Sequence, residues 1–169
     1  MSIQEFYNAA QQKEFARLFQ FKVRTLGPFT EQDLLYVETA QLPDKSIASK
    51  TVPYYGLNFN VPGTVSYPGS DAWAVTFRCD EGLNIRNKME NYTKEIFNDE
   101  TSTGLYGVPT EEATFDLLGK DLKPVRRYTF IGLFPRNCGT IDYSIGDDGE
   151  IAKCNFTFAY QYYRTSTAF

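Results

Sequence analysis

The sequence contains no histidine, one tryptophan, two methionines and three cysteines in 169 residues. Without imidazole the chain lacks the commonest general base, the commonest transition-metal ligand and the usual partner of a nucleophilic serine or cysteine. The cysteines are odd in number and share no C-x-x-C spacing, so neither a disulfide framework nor a zinc site is expected. Cys79 and Cys154 fall on apolar strand faces and read as small core residues, while Cys138 falls in a loop as the thiol expected at the surface. Positive charge is also scarce, with 17 Lys and Arg against 21 Asp and Glu. No basic run exceeds Arg126-Arg127, which argues against tight binding through nucleic-acid phosphates. No apolar run approaches membrane-spanning length and the polar N-terminus has no signal-peptide core, so the reading is no membrane anchor and synthesis in a reducing cytoplasm.

Catalytic motifs are missing as well. Gly119-Lys120 is followed by Asp121 and has no phosphate-loop glycine before it, and neither G-x-G-x-x-G nor G-x-S-x-G occurs. The neighbouring carboxylates Asp80-Glu81, Asp99-Glu100, Glu111-Glu112 and Asp147-Asp148 would point to opposite faces of a strand or into solvent. The run Asp147-Asp148-Gly149-Glu150 lacks the spaced oxygen ligands of a calcium loop. No catalytic, metal-binding or cofactor-binding residue is assigned, no cofactor is expected, and the chain reads as a non-enzyme.

What is abundant is aromatic: 16% of residues, nearly all Tyr and Phe, within a hydrophobic fraction of 42%. Such rings favour pleated, half-buried surfaces. Ser2-Ile3-Gln4-Glu5 has the form of a capping box opening a helix over about 3–16. Alternation over Leu18–Leu26 places Phe19, Phe21 and Val23 on one strand face, and a second short strand is read over Leu34–Glu38. Residues 39–53 read as a long exposed connection, and Tyr54–Val61 as a strand closed by Pro62-Gly63. Ala72–Cys79 aligns Trp73, Val75 and Phe77. The period then changes, and Ile85, Met89, Tyr92 and Ile96 share one side of a helix over 83–97. Residues 98–110 read as a loop, followed by strands near Ala113–Leu118 and Arg127–Phe134. Thr140–Ile145 is expected to pair with Glu150–Tyr163 across Gly146–Gly149, aligning Phe156, Phe158 and Tyr160. That last strand exceeds ordinary length, so it serves either two sheets or a neighbouring subunit. The expected fold is mainly β with one packed helix (α+β), an antiparallel barrel or sandwich in one domain spanning 1–169 with a short tail at 164–169.

Several segments together carry a resemblance. They are Ala40-Gln41-Leu42-Pro43 leading to Ile47, Tyr55-Gly56-Leu57-Asn58-Phe59-Asn60-Val61-Pro62-Gly63, Asp71-Ala72-Trp73-Ala74-Val75-Thr76-Phe77, and Gly132-Leu133-Phe134-Pro135-Arg136-Asn137-Cys138-Gly139. In this order, over roughly residues 15–163, the chain resembles the tail tube protein of contractile-tailed bacteriophages. The resemblance implies hexameric rings stacked into a hollow tube inside a contractile sheath, with strands of all subunits joined into one ring-wide inner barrel. It implies sheath, baseplate and tail-terminator partners, DNA passing through without tight binding, and residence in the virion. It also implies that the 39–53 segment lies between rings, with Leu42, Pro43, Ile47, Val52 and Tyr54 as contact residues. Deleting 44–50 is then expected to weaken stacking more than folding. The alternatives are a baseplate tube initiator or a headless injection-machine tube of the same fold, and, less favoured, a monomeric ligand-binding β-barrel.

Overall fold

Two corners in the chain organise the molecule. The computed structural model describes residues 2–167, beginning with α1 (Ile3–Gln12), β1 (Phe21–Thr25), α2 (Glu31–Leu34) and β2 (Val37–Ala40). A long pair, β3 (Ser46–Tyr54) and β4 (Leu57–Ser66), precedes β5 (Trp73–Arg78) and α3 (Asn84–Ile96). The short β6 (Phe97–Asn98) and β7 (Thr103–Gly104) lead to β8 (Glu112–Leu118), β9 (Pro124–Ile131) and β10 (Phe134–Cys138). The last strands are β11 (Lys153–Ala159) and β12 (Tyr162–Ser166). All pairings are antiparallel: β1-β8-β9-β12 form one four-stranded sheet, and β10-β11-β5-β2 form another. Among the described residues there is no closed barrel, so of the two expected shapes the molecule has the sandwich.

The corners join the sheets. β9 passes into β10 through Gly132-Leu133, and β11 passes into β12 through Tyr160-Gln161, so each long segment serves both sheets. Gly132 has φ of +71°, and a Cβ there would lie 2.5 Å from the Gln161 side chain, so only glycine lets the two corners touch.

The facing sides bury Val23, Phe115 and Phe130 from one sheet and Val75, Phe77, Phe156 and Phe158 from the other. Trp73 stacks on Phe130 at 4.2 Å between ring centroids, and its indole N–H donates to the Gln41 carbonyl at 2.7 Å, satisfying a polar group otherwise costly to bury. α3 lays Ile85, Met89 and Tyr92 into this core, while Ile96 is half-buried. Gly27 (φ +48°) makes room for Tyr92, whose ring would stand 2.9 Å from a Cβ there. Leu83 caps α3 without a side-chain bond; Asp80 does that work, accepting from the Asn84 backbone at 3.2 Å and its side chain at 2.7 Å.

Several expectations need correction. α1 stops at Gln12, because the chain then reverses and stacks Phe15 on Phe6. Phe19 is 73% exposed, since an Arg17–Gln20 turn keeps it ahead of β1; Phe21 packs against the core and Val23 is buried. The strand expected at Leu34–Glu38 starts only at Val37, because α2, opened by the Thr30–Asp33 capping box, takes Leu34 and a turn takes Leu35-Tyr36.

The 39–53 connection contains half of β2 and most of β3, and β4 runs through Pro62-Gly63. A register shift between Ile47 and Ser49 breaks the period that marks a strand, and proline is tolerated on an edge. Residues 98–110 contain β7 and the second residue of β6, with which it pairs.

Near the C-terminus, β11 pairs with β10 in place of Thr140–Ile145, leaving 139–152 as a loop. β10 buries Pro135 and packs Cys138 against the core; of the replaced segment Ile141 also packs there, whereas Tyr143 and Ile145 stay exposed. Of the expected tail, residues 164–166 belong to β12, and Ala168 and Phe169 lie outside the described residues.

Cysteine needs the same treatment. Cys79 and Cys154 form a disulfide, with Cα atoms 6.2 Å apart. β5 and β11 are neighbours in register, which brings together two residues 75 apart in sequence. Cys138 ends β10 half-buried; burial raises its thiol pKa, partly offset by the Arg86 guanidinium.

Candidate assembly surfaces

β2 and β5 pair at the edge of their sheet, and the same two chain segments continue outward as β3 and β4. The result is a two-stranded arm joined at its tip by Tyr55-Gly56, both at positive φ, as a two-residue hairpin turn requires. The pairs Lys50–Val61, Val52–Phe59 and Tyr54–Leu57 share one face. The other face carries Thr51–Asn60 and Pro53–Asn58, with the Thr51 hydroxyl donating to the Asn60 side chain at 3.1 Å.

The arm is therefore amphipathic, yet no residue of β3 or β4 is buried. Val52, Tyr54, Leu57 and Phe59 are each about half exposed or more. An isolated hairpin is marginal in water. Covering this face is worth on the order of 5 kcal/mol.

Of the contact residues read from the sequence, Ile47, Val52 and Tyr54 stand on the arm, and Leu42 and Pro43 lie at its base between β2 and β3. In the sequence Leu57, Phe59 and Val61 read only as part of the Tyr54–Val61 strand, without assignment to a contact. The signal was their alternation on a strand with nothing to pack it. The N-terminal helix, whose apolar positions are sparse enough in sequence to predict a surface or partner-packed element, offers a second surface: Ile3, Phe6 and Tyr7 fall on one side of α1, and no residue of that helix is buried.

The polar clusters hold the fold together. Asp116 is 1% exposed and receives Arg127 in a two-point contact at 2.6 and 2.8 Å, with Arg24 at 3.6 Å. The Tyr92 hydroxyl donates to the Glu111 carboxylate; burial first, and then this bond, push the phenol pKa upward. Burial would raise Asp33, but the Lys88 ammonium at 2.5 Å and the Thr30 hydrogen bonds outweigh it and hold the carboxyl below its usual range. Among the described residues no group of three Cys, Asp or Glu is placed to hold a metal ion. A groove of about 400 Å³ lies between α3 and residues 105–111, outside the sandwich, lined by Tyr92, Ile96, Leu105, Val108, Pro109 and Leu133.

No family model matches the chain. No curated protein matches either. Solved structures do. A chain of the anti-feeding prophage (AFP) baseplate, six-fold symmetrised, superposes with TM-score 0.66 at 12% identity, covering 92% of this chain and 97% of that one. A chain of the AFP tube-terminating cap gives 0.66 at 17% identity, covering 92% and 93%. A chain of the PVC sheath–tube complex of an extracellular contractile injection system gives 0.53 at 14%, covering 99% of both. The fold is of the tail-tube type. At these identities the likeness concerns the fold; the neighbours are structural components of contractile injection assemblies.

Proposed function

We propose that this chain is a non-enzymatic structural subunit that self-assembles into hexameric rings stacked as the hollow tube of a contractile tail, inside a sheath and between a baseplate and a terminator. The observation that carries the reading is the uncovered apolar face of the β3–β4 arm on a tail-tube-type fold. Sheet edges supply the lateral contact. Among the described residues, β1 and β12 each have a strand on one side only. Their sheet has four strands, an even number, so joining β12 of one copy to β1 of the next keeps every neighbour antiparallel around a ring. Closure removes two open edges that would otherwise recruit chains without limit. The six-fold symmetry of the AFP baseplate supports six copies. The net charge of −4 suits a conduit through which DNA passes without adhering, in a phage virion.

A second reading, a baseplate or cap ring of a headless injection machine, is favoured by one observation: the AFP baseplate and cap superpose at 0.66, against 0.53 for the sheath–tube complex. Negative-stain electron microscopy of the concentrated protein separates the two. Open-ended hollow tubes of uniform diameter are expected for a tube subunit, and single rings for the second reading. A protein that stays monomeric with its arm face covered by its own chain overturns both.

A further inference from the structure

β9 and β10 form one ribbon bent at Gly132, and its two ends carry opposite chemistry. At the β9 end, the 119–123 turn and the segment after α1 enclose an open cleft of about 780 Å³. Its charged lining is Lys13, Arg17, Lys120 and Arg126 against the single carboxylate Glu14, and its apolar lining includes Leu118 and Val125. Lys120 holds Glu14 at 3.1 Å, which leaves Lys13, Arg17 and Arg126 facing the cleft in excess. At the β10 end, loop 139–152 carries Asp142, Asp147, Asp148 and Glu150 and no Lys or Arg. Tyr143 is 72% exposed in that loop and Ile145 fully so. The pocket formed by this loop shares no residue with the cleft.

We propose that the cleft binds loop 139–152 of a second copy of this chain, with Tyr143 and Ile145 against its apolar floor and the loop carboxylates against Lys13, Arg17 and Arg126. Charge and apolar character match on both sides. The cleft and the loop lie at opposite ends of the β9–β10 ribbon and share no lining residue, so pairing them between copies is a heterologous, head-to-tail contact. This rests on the self-assembly reading and assigns one of its contacts. The attraction acts between exposed charges and weakens with salt, because the screening length is about 10 Å at 0.1 M.

The test uses the full chain, mixed as normal and nitrogen-15-labelled copies, coupled with a carbodiimide and read by mass spectrometry. Mixed-isotope links from Asp142, Asp147, Asp148 or Glu150 to Lys13 or Lys120 are expected, and they do not depend on tubes forming. In parallel, D147K/D148K is expected to raise the concentration needed for assembly at least tenfold, and adding K13E/R17E to that variant to restore it. Absence of those mixed links, or D147K/D148K assembling like the wild type, overturns the proposal. So does a loss that the charge swap does not repair. Links without rings or tubes from the wild type would instead remove the tube reading and leave this contact standing.

Discussion

Asp33 shows how a few polar atoms fix a local turn. It receives the Thr30 backbone and side chain at 2.8 Å each and the Lys88 ammonium at 2.5 Å, tying α2 to α3. Its carboxyl pKa is held below the usual value, so the sign of the linkage is fixed: its stabilisation is present above the unfolded pKa of about 3.9 and is lost as pH falls through the lower folded value. Asp33→Asn cannot ionise and should show a shallower loss. Urea midpoints of both proteins between about pH 6 and pH 2 check this: the gap between them should close at the acid end. A constant gap would mean that Asp33 acts only as a hydrogen-bonding cap.

At the scale of elements, the strands and α3 bury apolar faces within the subunit, and the arm does not. The apolar face carried by Val52, Tyr54, Leu57, Phe59 and Val61 has no cover among the described residues. The substitution pair Leu57→Asp and Phe59→Asp should therefore leave subunit stability within about 0.5 kcal/mol and abolish rings or tubes. Chemical denaturation and sedimentation velocity measure the two quantities separately. Loss of fold together with loss of assembly would make the arm part of the core. Removing 46–66 as a unit is a cleaner deletion than 44–50, because 46–54 is β3 and cutting into it leaves β4 unpaired.

How far the elements were legible follows from the same physics. Trp73, Val75 and Phe77 alternate, and Ile85, Met89 and Tyr92 recur at helical spacing, because each element buries one face on a single core. The arm was read partly as a loop. Its strand character comes from the β3–β4 ladder and survives a register shift between Ile47 and Ser49 that erases the period. Phe19 alternates correctly with Phe21 and Val23, yet it lies in the turn before β1, where alternation has no sheet to act on.

For the whole molecule, the Cys79–Cys154 bridge closes a segment of 75 residues that contains α3 and β8 to β10. Closing a loop that long stabilises by about 4 kcal/mol in the chain-entropy view. Thermal unfolding with and without dithiothreitol should show a lower midpoint in reductant, and Cys154→Ser should make the protein insensitive to it. Equal midpoints would place the reduced pair at no thermodynamic disadvantage. The proposed assembly is set at the same scale: among the described residues the two sheets, joined at two corners, leave β1 and β12 with a strand on one side only, and the ribbon places a cationic cleft and an acidic loop at its two ends.

The sequence by itself determined the mainly antiparallel β class, the packed helix and most of the core. Composition and local period are properties of neighbouring residues, and they survive whatever the chain does at long range. Tertiary structure alone decided the Cys79–Cys154 pairing, the choice of β10 over residues 140–145 as the partner of β11, and the extension of β3 and β4 into an uncovered arm. Each depends on which segments meet in space, and backbone hydrogen bonds between strands carry no mark in the side-chain sequence.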